Sequence, residues 1–248
     1  MQPGAGCVLA TQGATRVYHA RLRGGGGANG RASEPPACVS LVAEVGARAL
    51  LALLPDPTVL FADAKLRQRQ RIVLQPGGSL CLLDWVTGGR EHLGAGSEAW
   101  AFSLLDSRTE IWQTDAPAAP DGPPQQRRLL TEAMRLGGGC AASPLAQRMG
   151  RAHVLGVLVL AGPRCEAQAK ALLAELGGEG GGRGFTQRSL ERARGGESTF
   201  FVAAGAPLEG CGCVVRFAAE RLEEAQAWLG LALAGLEGEL GGAPFVSS

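Results

Sequence analysis

Three groups of side chains in this 248-residue chain have types and spacings that could do chemistry. Cys211 and Cys213 form a Cys-Gly-Cys pair, and soft thiolates hold nickel, copper or zinc. On a strand, residues i and i+2 face the same side, so both sulfurs could reach one ion. No second Cys or His pair has metal-site spacing, and His19, His92 and His153 are scattered. Buried structural thiols are therefore the stronger reading of the pair. The second group is a cationic stripe, Lys65, Arg67, Arg69 and Arg71, on alternate positions of one stretch. It reads either as charge shown to water, where Arg also blocks edge pairing, or as a docking face that meets carboxylates bidentately. The third group is polar. Thr11, Gln12, Thr15 and Tyr18 interrupt an apolar run near the start, and Asp56, Asp84, Glu91 and Glu98 follow further on. Buried polar groups need hydrogen bonds, so Thr11 to Tyr18 reads either as a β-bulge at Gly13 or as the wall of a polar passage for water or an ion. Asp56 is equally a turn residue between Pro55 and Pro57.

No catalytic constellation accompanies these groups. Gly24 to Gly30 lacks both the following Lys-Ser/Thr and the strand-then-helix setting of a phosphate-binding loop. A Gly-x-Ser-x-Gly nucleophile elbow is absent as well. The expectation is a protein that is not an enzyme. A formal net charge of +1 argues against bulk electrostatic binding to nucleic acid or an anionic membrane. No stretch approaches the roughly 18–20 apolar residues that span a bilayer, and the N-terminus lacks the pattern of a signal peptide. Seven cysteines at irregular spacing read as mostly buried, reduced thiols of a cytoplasmic protein. With aromatics at only 5%, the core must be built from Leu, Val and Ala.

The elements that would position these groups are mainly strands. Leu66, Gln68, Gln70, Ile72 and Leu74 alternate with the cationic stripe, so the stretch from Lys65 to Leu74 is a strand with two unlike faces. Three segments repeat one pattern, a Gly turn followed by an apolar strand: from Gly4, from Gly46 and from Gly77. Strands at Cys38–Val45 and Leu66–Leu74 precede the second and third, so each reads as the second half of a hairpin. Repeated hairpins point to stacked antiparallel sheets or to β-helix-like layering. The first hairpin lacks its first strand, which leaves Cys7–Tyr18 as an unpaired edge and suggests that strands are missing before it.

Glu98–Phe102 and Ser107–Gln113 read as further strands, and Arg127–Leu136 as another despite its helical propensity. Low-complexity inserts occupy 24–36 and 115–124. After residue 150 the character changes. Val154–Leu160 is continuously apolar, a strand buried on both faces. Cys165, Ala169, Leu172 and Leu176 then form the stripe of an amphipathic helix that ends at Gly177. Strands at Thr199–Ala203 and Cys213–Phe217 precede a final helix from about Ala219 to Leu240, with Leu222, Ala225, Leu229, Ala232 and Leu236 buried. The expected fold is mainly β (α+β): layered antiparallel hairpins, β-helix-like, over 1–150, with two strand-helix units over 151–248, all in one domain.

One family carries these motifs in order. Leu54-Pro55-Asp56-Pro57, Phe61, the Arg-Gln-Arg run, Leu74-Gln75-Pro76-Gly77 and Asp84-Trp85-Val86-Thr87-Gly88-Gly89-Arg90-Glu91 resemble the urease accessory protein of the UreD (or UreH) type. The resemblance reaches back to Cys7–Tyr18 and forward to the last helix. The last of these motifs is more similar to plant and algal members. The resemblance implies a maturation scaffold that binds apo-urease and a helical accessory protein of the UreF type, which docks a GTPase of the UreG type. It implies no tightly bound cofactor, only nickel in transit. It raises Arg67, Arg69, Arg71 and Arg90 as partner-binding residues. Thr11, Gln12, Thr15, Tyr18, Asp56, Asp84 and Glu98 become candidates for the polar passage. Two rivals are a stand-alone or degenerate β-rich binding module and a metal-storing protein using Cys211 and Cys213.

Overall fold

The computed structural model describes residues 2–19, 35–89, 99–115, 125–137, 145–177, 186–189, 200–206, 208 and 212–245. Its strands are β1 (Gly6–Ala10), β2 (Thr15–Val17), β3 (Ala37–Val45), β4 (Leu50–Leu54), β5 (Thr58–Leu60), β6 (Lys65–Leu74), β7 (Ser79–Gly88), β8 (Leu104–Asp115), β9 (Gln125–Leu136), β10 (Val154–Ala161), β11 (Thr186–Ser189), β12 (Phe200–Gly205) and β13 (Gly212–Ala219). The helices are α1 (Leu145–Met149), α2 (Glu166–Gly177), α3 (Leu222–Leu233) and α4 (Glu237–Leu240). A large sheet runs β1-β4-β7-β10-β13-β12-β11, with β2 and β5 joined at the end of β7, and a small sheet runs β3-β6-β8-β9. The protein is mainly β with helices in its C-terminal part, as the periodicity predicts.

The expected hairpins take a different form. β3 and β4 are joined by a tight turn, as are β6 and β7, but the two halves lie in different sheets. Each pair is an arc. Its strands bond in parallel to their counterparts one repeat away: β3 to β6, and β1 to β4 to β7. The reason is burial. Val45, Leu51, Ile72, Leu74, Leu80 and Leu82 come from both sides of the turns and pack together between the sheets. A flat hairpin would leave those faces side by side in one plane. β-Helix-like layering is realised, and the antiparallel ladders appear elsewhere, at β8–β9 and from β7 through β10, β13 and β12 to β11.

The arcs stack through their backbones. Leu50 N–H donates to Ala5 O at 2.9 Å, and Ser79 N–H donates to Ala49 O at 2.8 Å. The strand register aligns Gly4, Arg48 and Gly77, and all three have positive φ (75°, 57° and 75°). The equivalent of Gly77 in the second repeat is thus Arg48, two residues beyond the glycine the sequence suggests.

β6 is an interior strand of the small sheet, so its arginines do not block an edge. Among the described residues β1 and β3 have a strand partner on one side only. Val8, Leu9, Val39 and Val42, on these two strands, are 41%, 50%, 47% and 69% exposed, which makes this end of the stack open and apolar. The expected strand at Glu98–Phe102 does not form over its described part. Ala99 and Trp100 make a turn, with Trp100 at φ 58°. The Trp100 indole is buried, donates to Ala152 O at 2.8 Å and packs edge-on against Phe102. That burial draws the segment out of the sheet.

β10 is covered on both faces. Val157 and Val159 face the small sheet, while Leu158 and Leu160 face α2 and α3. Cys165, Ala169, Leu172 and Leu176 are all buried there. The last helix is broken: a 3-10 turn at Ala234–Leu236 separates α3 from α4. Its stripe still holds, with Ala225, Leu229, Ala232 and Leu236 buried and Leu222 packed beside them. Gly241 ends it in the left-handed conformation.

Candidate functional site

The two sheets leave a cavity of about 310 Å³ between them at the open end of the stack. Strand alternation builds it. Gln68 and Gln70 share the inward face of β6 with Leu66 and Ile72, and Asp84 faces them from β7. Asp84 accepts hydrogen bonds at 3.0 Å from Gln68 Nε2 and at 3.0 Å from Ser107 Oγ, so three strands of both sheets converge on one carboxylate. Desolvation raises its pKa above the ordinary carboxylate value, those two hydrogen bonds oppose the rise, and the charge of Glu132 adds to it. Beyond it, Thr109 is buried and its Oγ1 has no hydrogen-bond partner among the described residues. Further along the same interior, Arg216 of β13 bonds Glu132 of β9, tying the large sheet to the small one.

The mouth of the cavity is the segment between β1 and β2. Thr11 and Thr15 line it. The Asp56 carboxylate accepts from Thr11 Oγ1 at 3.1 Å and from Gly13 N–H at 2.7 Å, and Thr11 Oγ1 in turn accepts from Asp56 N–H at 2.7 Å. Gly13, at φ 121°, therefore sits in a loop tied to the Pro55–Pro57 turn. It is not a bulge, because β1 and β2 pair with different strands, β4 and β5. Thr11 also lines a second cavity of about 420 Å³ on the other side of the large sheet, together with Asp56 and Gly241 to Phe245. Thr11 thus lines both chambers, the outer one with Asp56 and the inner one with Asp84.

The sequence-level candidates separate accordingly. Thr11, Thr15, Asp56 and Asp84 come together along the two chambers. Gln12 is exposed on the loop. Tyr18 stacks on Phe61 with centroids 4.5 Å apart and lines neither cavity. Glu98, Arg90 and Cys211 lie outside the described residues. Cys213 is fully buried, and desolvation pushes its thiol up to about 12. Among the described residues no group of three or more His, Cys, Asp or Glu side chains could hold a metal. Sequence reading missed Ser107, Thr109 and the Glu132–Arg216 pair. Only Gln68 and Gln70 carried a signal, two polar residues on the apolar face of an alternating strand.

The cationic stripe lies on the outer face of the small sheet. Arg69 donates to Asp106 Oδ2 at 2.7 Å, and Arg67 approaches the same oxygen at 3.4 Å. The hydrogen bond from Arg69 holds the Asp106 carboxyl below its usual range. Arg71 donates to Gln126 Oε1 at 3.0 Å and lies over the Trp112 ring. The Arg67 and Arg69 side chains are 49% and 41% exposed, and exposed pairs of this type contribute only about 0.2–1 kcal/mol each. Stability alone is a weak reason for so many arginines on one face.

The profile of the family described as UreD urease accessory protein matches residues 1–248. The chain is 35% identical over 242 residues to the urease accessory protein UreD of Sorangium cellulosum, covering 98% of this chain and 63% of that protein. It is 34% identical to the UreD of Anaeromyxobacter sp., covering 98% of this chain and 67% of the relative. The urease accessory protein D of Arabidopsis thaliana is 28% identical over 98% of this chain and 78% of its own length. The chain therefore spans about two thirds of the length of the two bacterial relatives. Among the described residues no helix is long and apolar enough to cross a membrane.

Proposed function

Because the chain belongs to the UreD urease accessory protein family, we propose that it serves urease maturation as a scaffold through which nickel moves to the apoenzyme. The observation that carries this reading is the pair of chambers that share Thr11, the outer one lined by Asp56 and the inner one by Asp84. Nickel here is cargo. A transit path needs oxygen groups that attract a divalent ion but release it, so scattered single carboxylates and hydroxyls suit it better than a closed ligand set. Apo-urease, a helical partner of the UreF type and a UreG-type GTPase complete the machinery, and GTP hydrolysis belongs to that last partner. The outer face of the small sheet is the docking surface, and the setting is the cytoplasm.

The test is urease activity in cells that lack their own scaffold protein but express the cognate urease, the helical partner and the GTPase. Supplying this chain restores activity. Asp84→Asn lowers activity at least fivefold while the chain still co-purifies with its partners. Full activity in Asp84→Asn would remove the inner chamber from the path. No activity from soluble wild-type chain would remove the maturation role.

A further inference from the structure

The outer face of the small sheet carries more than its stripe. By strand register Lys65, Arg67, Arg69 and Arg71 of β6 share this face with Arg108 of β8 and with Arg128 and Arg135 of β9. Among the described residues the register places three carboxylates on this face: Glu44, Asp106 and Glu110. Seven cations against three anions is a local excess on a chain whose formal net charge is +1. Toward one end of the face Trp112 is half-buried between two guanidiniums, Arg71 at 4.9 Å and Arg128 at 5.7 Å from the ring. The indole N–H donates to Glu110 Oε2 at 3.3 Å, which fixes the ring. A guanidinium held over an aromatic ring loses little freedom on binding a carboxylate, and Arg71 would exchange its exposed neutral acceptor, Gln126 Oε1 at 3.0 Å, for a charged one. Beside this stack is a depression of about 400 Å³ lined by Ser40, Val42, Arg69, Arg71, Arg108 and Glu110. Val42, 69% exposed, gives it an apolar anchor.

We propose that this face docks an acidic polypeptide segment of a protein partner, with carboxylates bound by Arg71 and Arg128 on either side of Trp112. The inference rests on the docking reading above and specifies the chemistry of what docks. Charge complementarity selects the occupant, and Arg with Trp is the pair of residue types most enriched where interfaces concentrate their binding energy.

The probe is a fluorescein-labelled peptide of eight glutamates, titrated with the full chain at low salt and read by anisotropy. Arg71→Ala with Arg128→Ala weakens binding at least tenfold. Trp112→Leu, which keeps every charge, weakens it severalfold, and unchanged thermal midpoints show that the variants are folded. Arg148→Ala with Arg221→Ala, on exposed cations elsewhere, changes binding less than twofold. Equal losses from the two arginine pairs would mean diffuse charge and overturn the proposal. Tighter binding of a 12-nucleotide single strand than of the peptide would overturn it in favour of nucleic acid. If the peptide does not bind while the chain still activates urease in cells, the docking chemistry fails and the maturation role stands. If the peptide binds as described but urease is not activated, the maturation role fails and this surface stands.

Discussion

Asp84 on the large sheet accepts a 3.0 Å hydrogen bond from the side-chain amide of Gln68 on the small sheet, inside a cavity that raises its pKa. A carboxyl whose folded pKa is raised binds its proton more tightly in the folded state. Its contribution is fully present below the unfolded value, about 3.9, and is lost as pH rises through the folded value. Above the unfolded value Asp84 therefore works against folding. Asp84→Asn is expected to be more stable than wild type at pH 7.5, with the advantage shrinking as pH falls toward about 4. Urea midpoints of both proteins at pH 7.5 and 4.5 measure this. A variant that is more stable yet poorer in urease activation would separate a transit role from a structural one.

Arg48 occupies in its arc the left-handed position that Gly77 occupies in the next. A side chain at that φ costs roughly 1–2 kcal/mol, part of which a glycine gives back through the entropy of the unfolded chain. Arg48→Gly is expected to stabilise the protein by roughly 0.5–1 kcal/mol, and Gly77→Ala to destabilise it by a similar amount. Denaturant midpoints of the two variants should move in opposite directions. Movement in the same direction would mean that the Arg48 side chain contributes more through its contacts than its backbone costs.

The elements were legible in the sequence where one residue type repeats at one period. The β6 alternation, the continuous apolar run of β10 and the 4-3-4 spacing of α2 each place the right side chains inside. What stayed hidden depends on pairing. An arc and a hairpin have the same local sequence, and only the packing of Val45 and Leu74 against Leu80 and Leu82 across the two sheets distinguishes them. Half of the candidate passage was visible for the same reason. Asp84 and the Thr11–Asp56 neighbourhood stand out as polar groups among apolar residues. Ser107, Thr109 and the Glu132–Arg216 pair become part of the interior only because the small sheet closes over the large one. Tyr18 stacks on Phe61 and lines neither cavity, which no local pattern foretells.

Gly156, in the middle of β10, has no room for a methyl group. A Cβ there would lie 2.1 Å from the Phe217 ring. That ring is held by Trp85, Phe200 and Trp228, so it has nowhere to retreat. Gly156→Ala is expected to cost about 1–3 kcal/mol through overpacking. The double change Gly156→Ala with Phe217→Leu should recover part of the loss, and a purely additive result in thermal melts would contradict steric conflict as the cause.

Cys81, Cys165 and Cys213 are fully buried, and desolvation raises all three thiols, the latter two to about 12. Cys38 is exposed on β3, and Cys7 is half-buried. Thiolate is the reactive form, so burial and a high pKa act together against alkylation. Among the cysteines of the described residues, iodoacetamide at pH 8 is expected to label Cys38 first in the native protein. Cys81, Cys165 and Cys213 should react roughly a hundredfold or more slowly until denaturant is added. Peptide mapping by mass spectrometry reads each site separately. Rapid native labelling of Cys213, prevented by added nickel, would instead revive the metal-storing alternative, because a thiol that opens to reagent and closes on metal is a ligand rather than a core residue.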